Sequence, residues 1–515
     1  MQQTTTRRPL LKAVAAGSLV GIAGCTGSAD DDNTFRFSVP FFPPSLDPLQ
    51  NDGGWRNREI GVLESLFGIT RDGGVAAQLV EDYSRSEDDQ IWEFDLREDV
   101  VFHNGSELNA EAVVFSLDRA FSDTDSRISG LPVESVEAVD DRTVAITTER
   151  PMASLPAQLA RPAAGIIHPD SQAEDGSIET QISTGPYQLD SYDPSGEIVL
   201  TRHDEYYGTT PEIERAVFEQ VSDGQTRLLK LQNDELQLAK NLPNSAAAEI
   251  EADDSVDLKF TENTSEQIIV FNTERDPLDD VRIRRAILAS IDRQAIVDSV
   301  LEGIGSPAYT PWDPETVQWA NEDLDPDSFD PELAASLLAE AGWELDDDGV
   351  RYRDGEPLEL VLWTYTERPN LPDIAEVMQA QLGEVGFDIE VKVTEWGALD
   401  DAKSGLEYDM FIGHWGMYNF PDPDTLSNYY DIDQNIIDSP YDNPQVVDLL
   451  DEGRATFDDE ERKEIYDEIQ EIVMEDVPVG FLVRQSYVNG TRAGIEGYNP
   501  HPRIPELELE EISRS

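Results

Sequence analysis

Residues 358–393 read LELVLWTYTERPNLPDIAEVMQAQLGEVGFDIEVKV, and the spacing of their apolar residues changes twice. The first part of this stretch alternates leucine with other residues, a period of two that predicts a strand. Its middle part repeats apolar residues every three to four positions, which predicts a helix, and its last part alternates again. The apolar positions, in that order, are Leu358, Leu360 and Leu362; Ile374, Val377, Met378, Leu382 and Val385; and Ile389, Val391 and Val393. A strand–helix–strand unit forms a parallel sheet with a right-handed crossover, so we predict an α/β protein with a third strand at Met410–Ile412.

The strand ends of this unit carry aromatic and amide side chains. In open α/β sheets, ligands bind at the carboxyl ends of the strands. The candidate ligand-binding residues there are Trp363, Tyr365, Trp396, Trp415, Tyr418 and Asn419. Apolar area with a few hydrogen-bonding groups is the usual composition of a small-molecule pocket. The alternative is that these aromatic residues only cap the hydrophobic core.

Several other segments predict regular structure. Trp92, Phe94 and Leu96 alternate with acidic residues, which indicates a half-buried strand. Asn109 is a suitable N-cap for the helix that follows it. Asp280 is expected to cap one long helix that ends at Gly303, because apolar residues recur every four positions from Ile283 to Ala295.

The first 25 residues predict export and anchoring. Arg7 and Arg8 resemble the paired arginines of a twin-arginine export signal. The apolar run 13–24 is shorter than the roughly 20 residues of a membrane-spanning helix, and Ile22–Cys25 resembles a lipobox. Cys25, the only cysteine, is then the lipidation site. We therefore predict a signal peptide over 1–25, an acidic tether over 26–34, and membrane contact through the lipid anchor only.

The chain of 515 residues carries 107 acidic and 37 basic residues, a net charge of −70. Such a surface repels itself at low ionic strength, and concentrated salt screens that repulsion. The acids are spread evenly and only seven residues are lysine, a pattern similar to that of proteins from extreme halophiles. At this charge we expect no nucleic acid as a partner. The competing interpretation is a binder of basic partners.

Sequence signals for catalysis are absent. The five histidines are scattered, and neither H-E-x-x-H nor G-x-S-x-G occurs. We expect no catalytic residue, no metal site and no cofactor. Three Asn-x-Ser/Thr patterns, at Asn104, Asn263 and Asn489, are possible glycosylation positions in an exported chain.

Several motifs together resemble the extracytoplasmic solute-binding proteins of ABC transporters, family 5, which is the dipeptide, oligopeptide and nickel group. They occur in the order of the family and span nearly the whole mature chain. They are WEFDLREDV at 92–100, FHNGS at 102–106, AEAVVFSL at 110–117, STGPY at 183–187, DVRIRRAI at 280–287, IDR at 291–293, LLAEAGW at 337–343, and Trp415 followed by PDPD at 421–424.

This resemblance implies a type II periplasmic-binding-protein-like fold with two lobes and a hinge. Lobe 1 would comprise residues 35–272, with an inserted subdomain at about 79–182, and would be completed by residues 484–515. Lobe 2 would comprise residues 273–483. The chain would cross between the lobes near Asn272 and Arg484, and Asn272 is a further candidate ligand residue.

The function implied is that of a lipid-anchored receptor on the extracellular face of the cell membrane. It would capture a peptide, sugar or metal chelate as a monomer and deliver it to an ABC permease. Peptide-binding members have an Asp a few residues after the Trp of the last motif, whereas this chain has Met417, Tyr418 and Asn419 there. The alternatives are an exported hydrolase, suggested by the many carboxylates, and a surface or sensory lipoprotein without a role in transport.

Overall fold

The structure is a computed structural model that describes residues 34–50, 52–124, 126–178, 180–368, 370–415, 421–432, 434–502 and 506–515. Within these ranges the side chains of 262–265 and of Trp415 are not described. The predicted export signal with Arg7, Arg8 and Cys25 lies outside the described residues. Tyr418 and Asn419 also lie outside them.

The elements of the described chain fall into four consecutive groups. The first runs β1 (Thr34–Val39), α1 (Gly53–Glu59), β2 (Phe67–Ile69), β3 (Val75–Ala77), β4 (Val80–Arg85), β5 (Ile91–Leu96), α2 (Ala110–Ser122), β6 (Val133–Ala138), β7 (Thr143–Thr148) and α3 (Leu155–Leu159). The second runs β8 (Tyr187–Tyr192), β9 (Glu197–Arg202), β10 (Arg215–Gln220), α4 (Gly224–Gln232), β11 (Leu238–Leu242), α5 (Ala246–Glu251) and β12 (Val256–Phe271). The third runs α6 (Val281–Ala289), α7 (Arg293–Ser299), β13 (Gly305–Pro307), α8 (Pro331–Glu340), β14 (Glu344–Leu345), β15 (Arg351–Arg353), β16 (Glu356–Pro357), β17 (Glu359–Tyr365), α9 (Asn370–Glu384), β18 (Asp388–Thr394), α10 (Trp396–Ser404) and β19 (Met410–Trp415). The last runs α11 (Ser427–Tyr430), α12 (Pro444–Ala455), α13 (Asp459–Asp476), β20 (Val479–Arg492), β21 (Ile495–Glu496) and β22 (Ser513–Arg514).

One mixed sheet runs through both lobes. Its strand order is β18-β17-β19-β12-β20-β11-β1-β10-β9-β8, with β13 added beside β20. The first three strands belong to lobe 2 and the last five belong to lobe 1, so β12 and β20 are shared. The fold is therefore the predicted α/β fold with two lobes.

The strand–helix–strand unit of lobe 2 forms as the sequence predicts. β17 pairs in parallel with β18 from Glu359 opposite Asp388 to Tyr365 opposite Thr394. β19 lies on the other side of β17, also parallel, and Leu362 is opposite Met410. Helix α9 covers one face of these strands with the buried residues Leu371, Ile374, Ala375, Met378 and Leu382. Burying such side chains contributes about 1.5–3 kcal/mol each, which makes the unit a stable support for its strand ends.

The segment inserted in lobe 1 has a hydrophobic core of its own. Its sheet has the order β4-β5-β7-β6. Trp92, Phe94 and Leu96 are buried on one face of β5, as their alternation predicts. Helix α2 packs on this sheet, and the side chain of Asn109 accepts a 2.9 Å hydrogen bond from the Ala112 amide, which confirms the predicted N-cap.

The two shared strands locate the passage between the lobes. In β12, Val256 to Thr261 pair with Arg492 to Tyr487 on the lobe 1 side, and Glu266 to Phe271 pair with β19 of lobe 2. The register of β12 against β20 shifts between Thr261 and Ser265. We therefore propose that the first crossing lies at 262–265 instead of near Asn272. The corresponding part of β20 is next to Arg484, since Ser265 is opposite Gln485, and the second crossing near Arg484 stays a prediction.

The single long helix expected from Asp280 to Gly303 is wrong. The structure has two helices, α6 and α7, separated at Ser290–Asp292. The side chain of Asp280 caps α6 through the Arg282 amide, and Asp292 caps α7 by accepting a 3.0 Å hydrogen bond from the Ala295 amide. The apolar period continues across the break because Ile291 is buried in the same core, so periodicity alone could not reveal it.

In the described ranges, no helix combines the length and the apolar composition that crossing a membrane requires.

Candidate functional site

The carboxyl ends of β18, β17 and β19 lie side by side, because β17 is the central strand of the three. Trp363 and Tyr365 are in the last three positions of β17, and Trp396 begins α10 directly after β18. The rings of Tyr365 and Trp396 are in contact, with centroids 4.9 Å apart at 72°. The structure therefore brings these three predicted residues to one edge of the sheet.

Two tryptophan rings at this edge already carry a lysine. Lys392, the register partner of Trp363, places its Nζ 3.4 Å from the centroid of that ring. The Nζ of the buried Lys403 lies 4.8 Å from the centroid of Trp396 and 3.0 Å from a carboxylate oxygen of Asp438. A lysine over a ring is held by the quadrupole of that ring, so one face of each ring is not available for stacking on a sugar.

Arg368 is a candidate residue that the sequence analysis missed. It is exposed, and it follows β17 by three residues. Burial raises the pKa of the Tyr365 hydroxyl, and the adjacent Arg368 guanidinium, which hydrogen-bonds Tyr365, opposes this rise. The available signal was a basic residue at a strand end, in a chain with only 37 basic residues.

A polar group lies next to this edge on β19, β12 and β20. Gln267 Nε2 donates a 3.1 Å hydrogen bond to Gln485 Oε1 and lies 3.4 Å from His414 Nδ1. Burial, together with the nearby positive charge of Arg368, lowers the pKa of His414 from 6.5 to about 3. His414 is therefore neutral at pH 7 and adds no positive charge beside Arg368, Lys392 and Lys403.

The low pKa of His414 predicts a loss of stability in acid. The unfolded chain takes up a proton below pH 6.5, whereas the folded chain does so only near pH 3. The contribution of His414 to the free energy of unfolding is therefore present above pH 6.5 and is lost as the pH falls. Between pH 7 and pH 5 we expect this effect to lower the free energy of unfolding of the wild type by about 2 kcal/mol. The His414→Gln variant has no histidine at this position and should not show this loss. Denaturant unfolding at both pH values in concentrated salt measures this, and equal losses for the two proteins would contradict the assignment.

A buried ion pair connects the two shared strands. Arg484 Nε donates a 2.9 Å hydrogen bond to Glu266 Oε1, and its Nη2 donates a 2.8 Å bond to the carbonyl of Thr310. The side chains of Glu266 and Arg484 are 0% and 6% exposed. The pair lies directly beyond the proposed crossing at 262–265, so we propose it as a fixed point of the hinge.

Asn272 does not belong to the candidate site. Its side-chain Nδ2 donates to the carbonyls of Tyr408 (3.0 Å) and Leu406 (3.3 Å). Since Phe271 is opposite Met410, Asn272 lies beyond the first residue of β19. The candidate strand ends are at the other end of the sheet, and the role of Asn272 is to hold the chain before β19.

Two arginines anchor residues 421–424, which follow Trp415 along the chain. Arg462 donates two hydrogen bonds, of 2.8 and 2.7 Å, to the carboxylate of Asp422. Arg454 Nε donates a 2.7 Å bond to Asp424 Oδ1. Burial raises the pKa of Asp424 to about 7, with Arg454 opposing it. The PDPD motif is thereby fixed to helices α12 and α13.

Lobe 1 also presents positive charge. Burial lowers the pKa of Arg161 to about 10, and Arg127 is close enough to add to the shift. Arg161 follows helix α3 by two residues and donates a 3.1 Å hydrogen bond to Gln158 Oε1.

Comparison with known families decides the identity. Residues 74–436 match the model of bacterial extracellular solute-binding proteins, family 5. This chain belongs to family 5. Its relatives include the dipeptide-binding protein of Escherichia coli (strain K12), 30% identical over 476 residues and covering 86% of both chains. The nickel-binding protein NikA of Staphylococcus aureus is 26% identical over 496 residues, covering 95% of this chain and 96% of that protein.

Solved structures of similar proteins share the fold. NikA of Brucella suis in complex with Fe(III)-EDTA aligns with a TM-score of 0.85 at 24% identity. The alignment covers 94% of this chain and 100% of that one. The nickel ABC transporter structure from Bacillus halodurans aligns with a TM-score of 0.79 at 26% identity, over 93% of this chain and 99% of that one. As a member of family 5, the chain is an extracytoplasmic solute-binding protein.

Among the described residues of this family 5 chain, one group of three side chains has the residue types that bind metal ions. Ligand atoms of His501, Glu506 and Glu508 lie within 4.8 Å of one another. Arg58 hydrogen-bonds Glu506, and Arg71 forms a 2.6 Å ion pair with Glu508. Both carboxylates are therefore neutralised by arginine, and the group is best described as a salt-bridge cluster of lobe 1.

The glycosylation patterns differ in accessibility. Asn104 is exposed on a turn, where its Oδ1 accepts a 2.6 Å bond from the Ser106 hydroxyl. Asn489 is 0% exposed in β20, with its amide bonded to Thr261 Oγ1 at 2.8 Å. Asn489 is therefore closed to modification in the folded protein, and the Asn263 side chain lies outside the described part.

Proposed function

We propose that this protein is the lipid-anchored substrate-binding receptor of an ABC importer. In this proposal it captures a small carboxylate-bearing solute between its lobes, outside the cell, and delivers the solute to a membrane permease. It acts as a monomer and does no chemistry on the solute. Membership of family 5 and the two shared strands support this, since such strands allow two lobes to close around a ligand.

The position of Arg368 carries the proposal for the ligand class. An exposed guanidinium at the strand ends of lobe 2 presents several donors in a planar fork that matches a carboxylate. In a chain with a net charge of −70, an exposed arginine beside candidate site residues favours an anionic ligand.

Peptides and metal chelates fit this site better than sugars. The rings of Trp363 and Trp396 each have a lysine on one face, so they offer little free area for sugar stacking. Relatives include a protein named as dipeptide-binding and a NikA structure with Ni(L-His)2, both with carboxylate-bearing ligands. Met417, Tyr418 and Asn419 offer no carboxylate to a peptide amine, so peptide and chelate both stay candidates.

The hydrolase alternative has weaker support. The neighbouring carboxylates Asp422 and Asp424 are each held by an arginine and are 7% exposed. Glu64 is buried and accepts hydrogen bonds from the hydroxyls of Thr184, Tyr207 and Tyr206 at 2.7, 2.8 and 3.0 Å. Carboxylates engaged in this way serve to hold segments together.

A ligand screen by thermal shift in concentrated salt tests the proposal. Dipeptides, the nickel–histidine chelate and disaccharides are added to the protein at increasing concentration. A true ligand at 100 times its Kd stabilises the folded state by about 2.7 kcal/mol. We expect a dipeptide or the chelate to raise the melting temperature and the disaccharides to leave it unchanged. No shift with any carboxylate-bearing solute would contradict the receptor proposal.

The proposed anchor gives a separate prediction. Lipidation of Cys25 is the only membrane attachment we infer, so Cys25→Ser is expected to release the protein into the medium with its solute binding intact. Fractionation of cells into membrane and medium, followed by immunoblotting, measures this. Arg7→Lys with Arg8→Lys serves as the matched control for export, because it should keep the protein inside the cell. If Cys25→Ser stays in the membrane fraction, the lipobox interpretation is wrong.

A further inference from the structure

A second contact joins the lobes apart from β12 and β20. Phe457 lies in the connection between α12 and α13 of lobe 2 and packs against the core of the subdomain inserted in lobe 1. Its ring centroid is 6.0 Å from that of Trp92, and Arg85 Cζ lies 3.7 Å from the Phe457 ring. The ring is therefore held between a tryptophan and an arginine of the other lobe.

Two polar contacts accompany this ring. The Ala153 amide donates a 2.7 Å hydrogen bond to the carbonyl of Arg454, and Arg150 lies 3.1 Å from a carboxylate oxygen of Asp451. The Arg150–Asp451 pair is about half exposed, at 49% and 50%. Exposed ion pairs and single cation–π contacts are individually weak, which suits a contact that must open to admit a solute. We call the contact formed by Arg85, Trp92, Ala153, Arg454 and Phe457 the latch.

The Arg454 side chain connects the latch to the segment that follows the candidate site. Its Nε donates to Asp424 at 2.7 Å, and its Nη2 donates to Asp431 Oδ2 at 3.1 Å. All three side chains are buried, between 4% and 9% exposed. The backbone carbonyl of Arg454 thus accepts a hydrogen bond from lobe 1, and the side chain of Arg454 holds residues 421–431.

We propose that Arg454 is a positioning residue that couples segment 421–431 to the latch between the lobes. Ordering of this segment would favour the latched state, and the latched state would by reciprocity order the segment. This inference rests on the proposed function for its purpose, although the coupling itself is a property of the ligand-free protein.

Hydrogen–deuterium exchange of the ligand-free protein tests the coupling without any solute. Phe457→Ala removes the latch ring while leaving every contact of the Arg454 side chain in place. We expect exchange in 421–431 to rise about 5-fold or more, the lower end of typical coupling between sites. Phe329→Ala removes an exposed ring of lobe 2, 43% exposed, and is the matched control that should leave 421–431 unchanged.

A double-mutant cycle then identifies Arg454 as the connection. Lysine lacks the planar fork through which Nε holds Asp424 and Nη2 holds Asp431, so in an Arg454→Lys background Phe457→Ala should change exchange in 421–431 less than in the wild type. Two results would overturn the inference: no change in 421–431 on Phe457→Ala, or the same change in both backgrounds. Thermal melting of each variant shows that it is folded. Because no ligand is added, failure of this test is distinct from failure of the receptor proposal.

Discussion

Replacing Arg484 with alanine is expected to lower the free energy of unfolding by about 3–5 kcal/mol. The substitution removes the guanidinium that lies 2.9 Å from the buried carboxylate of Glu266. Breaking a buried ion pair by removing one partner is costly, because the interior solvates the remaining charge less well than water does. The pair also bridges β12 and β20, so the loss falls on the strands that pass between the lobes. Denaturant unfolding in concentrated salt at pH 7 measures the effect.

An exposed ion pair provides the control for this prediction. Arg215 and Asp190 are 44% and 55% exposed at 3.3 Å, and such pairs contribute at most about 1 kcal/mol. Arg215→Ala should therefore change the free energy of unfolding by less than about 1 kcal/mol. A similarly small effect for Arg484→Ala would mean that Glu266 is solvated or protonated in the folded protein, and the hinge would lose its proposed fixed point.

Arg368→Ala is expected to weaken binding of a carboxylate-bearing solute at least about 30-fold. Losing a desolvated charge pair costs about 2–5 kcal/mol, and 1.4 kcal/mol corresponds to a factor of ten in Kd. Because Arg368 is exposed in the ligand-free protein, the melting temperature should stay close to that of the wild type. Calorimetric titration in concentrated salt gives both Kd values.

Arg368→Lys separates charge from geometry in this experiment. Lysine keeps the positive charge but lacks the planar fork that binds both carboxylate oxygens, so we expect an intermediate affinity. Unchanged affinity in Arg368→Ala, with the protein folded, would remove Arg368 from the site and with it the argument for an anionic ligand.

Local patterns predicted the elements of lobe 2 that support the site. The alternation and helical periods of 358–393 gave β17, α9 and β18, because each period reports which face of one element is buried. The same reasoning failed for α6 and α7. There the hydrophobic period runs on past Ser290, while the Asp292 side chain caps a new helix. A capping hydrogen bond is a single local contact. The hydrophobic period does not reveal the helix break, because Ile291 is buried on the same face.

Long-range contacts set the parts of the site that the sequence could not predict. Asn272 follows a β-rich run, but only the pairing of Phe271 with Met410 shows that it lies at the wrong end of the sheet. Lys403 contacts Trp396 from the last turn of the same helix, whereas Lys392 contacts Trp363 from the neighbouring strand. Neither contact follows from composition. Arg368 was overlooked because aromatic residues, and not charge at strand ends, guided the choice of candidates.

One calorimetric titration tests whether the protein captures a carboxylate-bearing solute between its lobes. A dipeptide is titrated in concentrated salt with its carboxyl group free and with that group amidated, alongside the nickel–histidine chelate and a disaccharide. We expect saturable binding of the dipeptide or of the chelate and, where the dipeptide binds, at least about 30-fold weaker binding of its amide. Equal affinity for the amidated form, or binding of the disaccharide alone, would contradict this proposal.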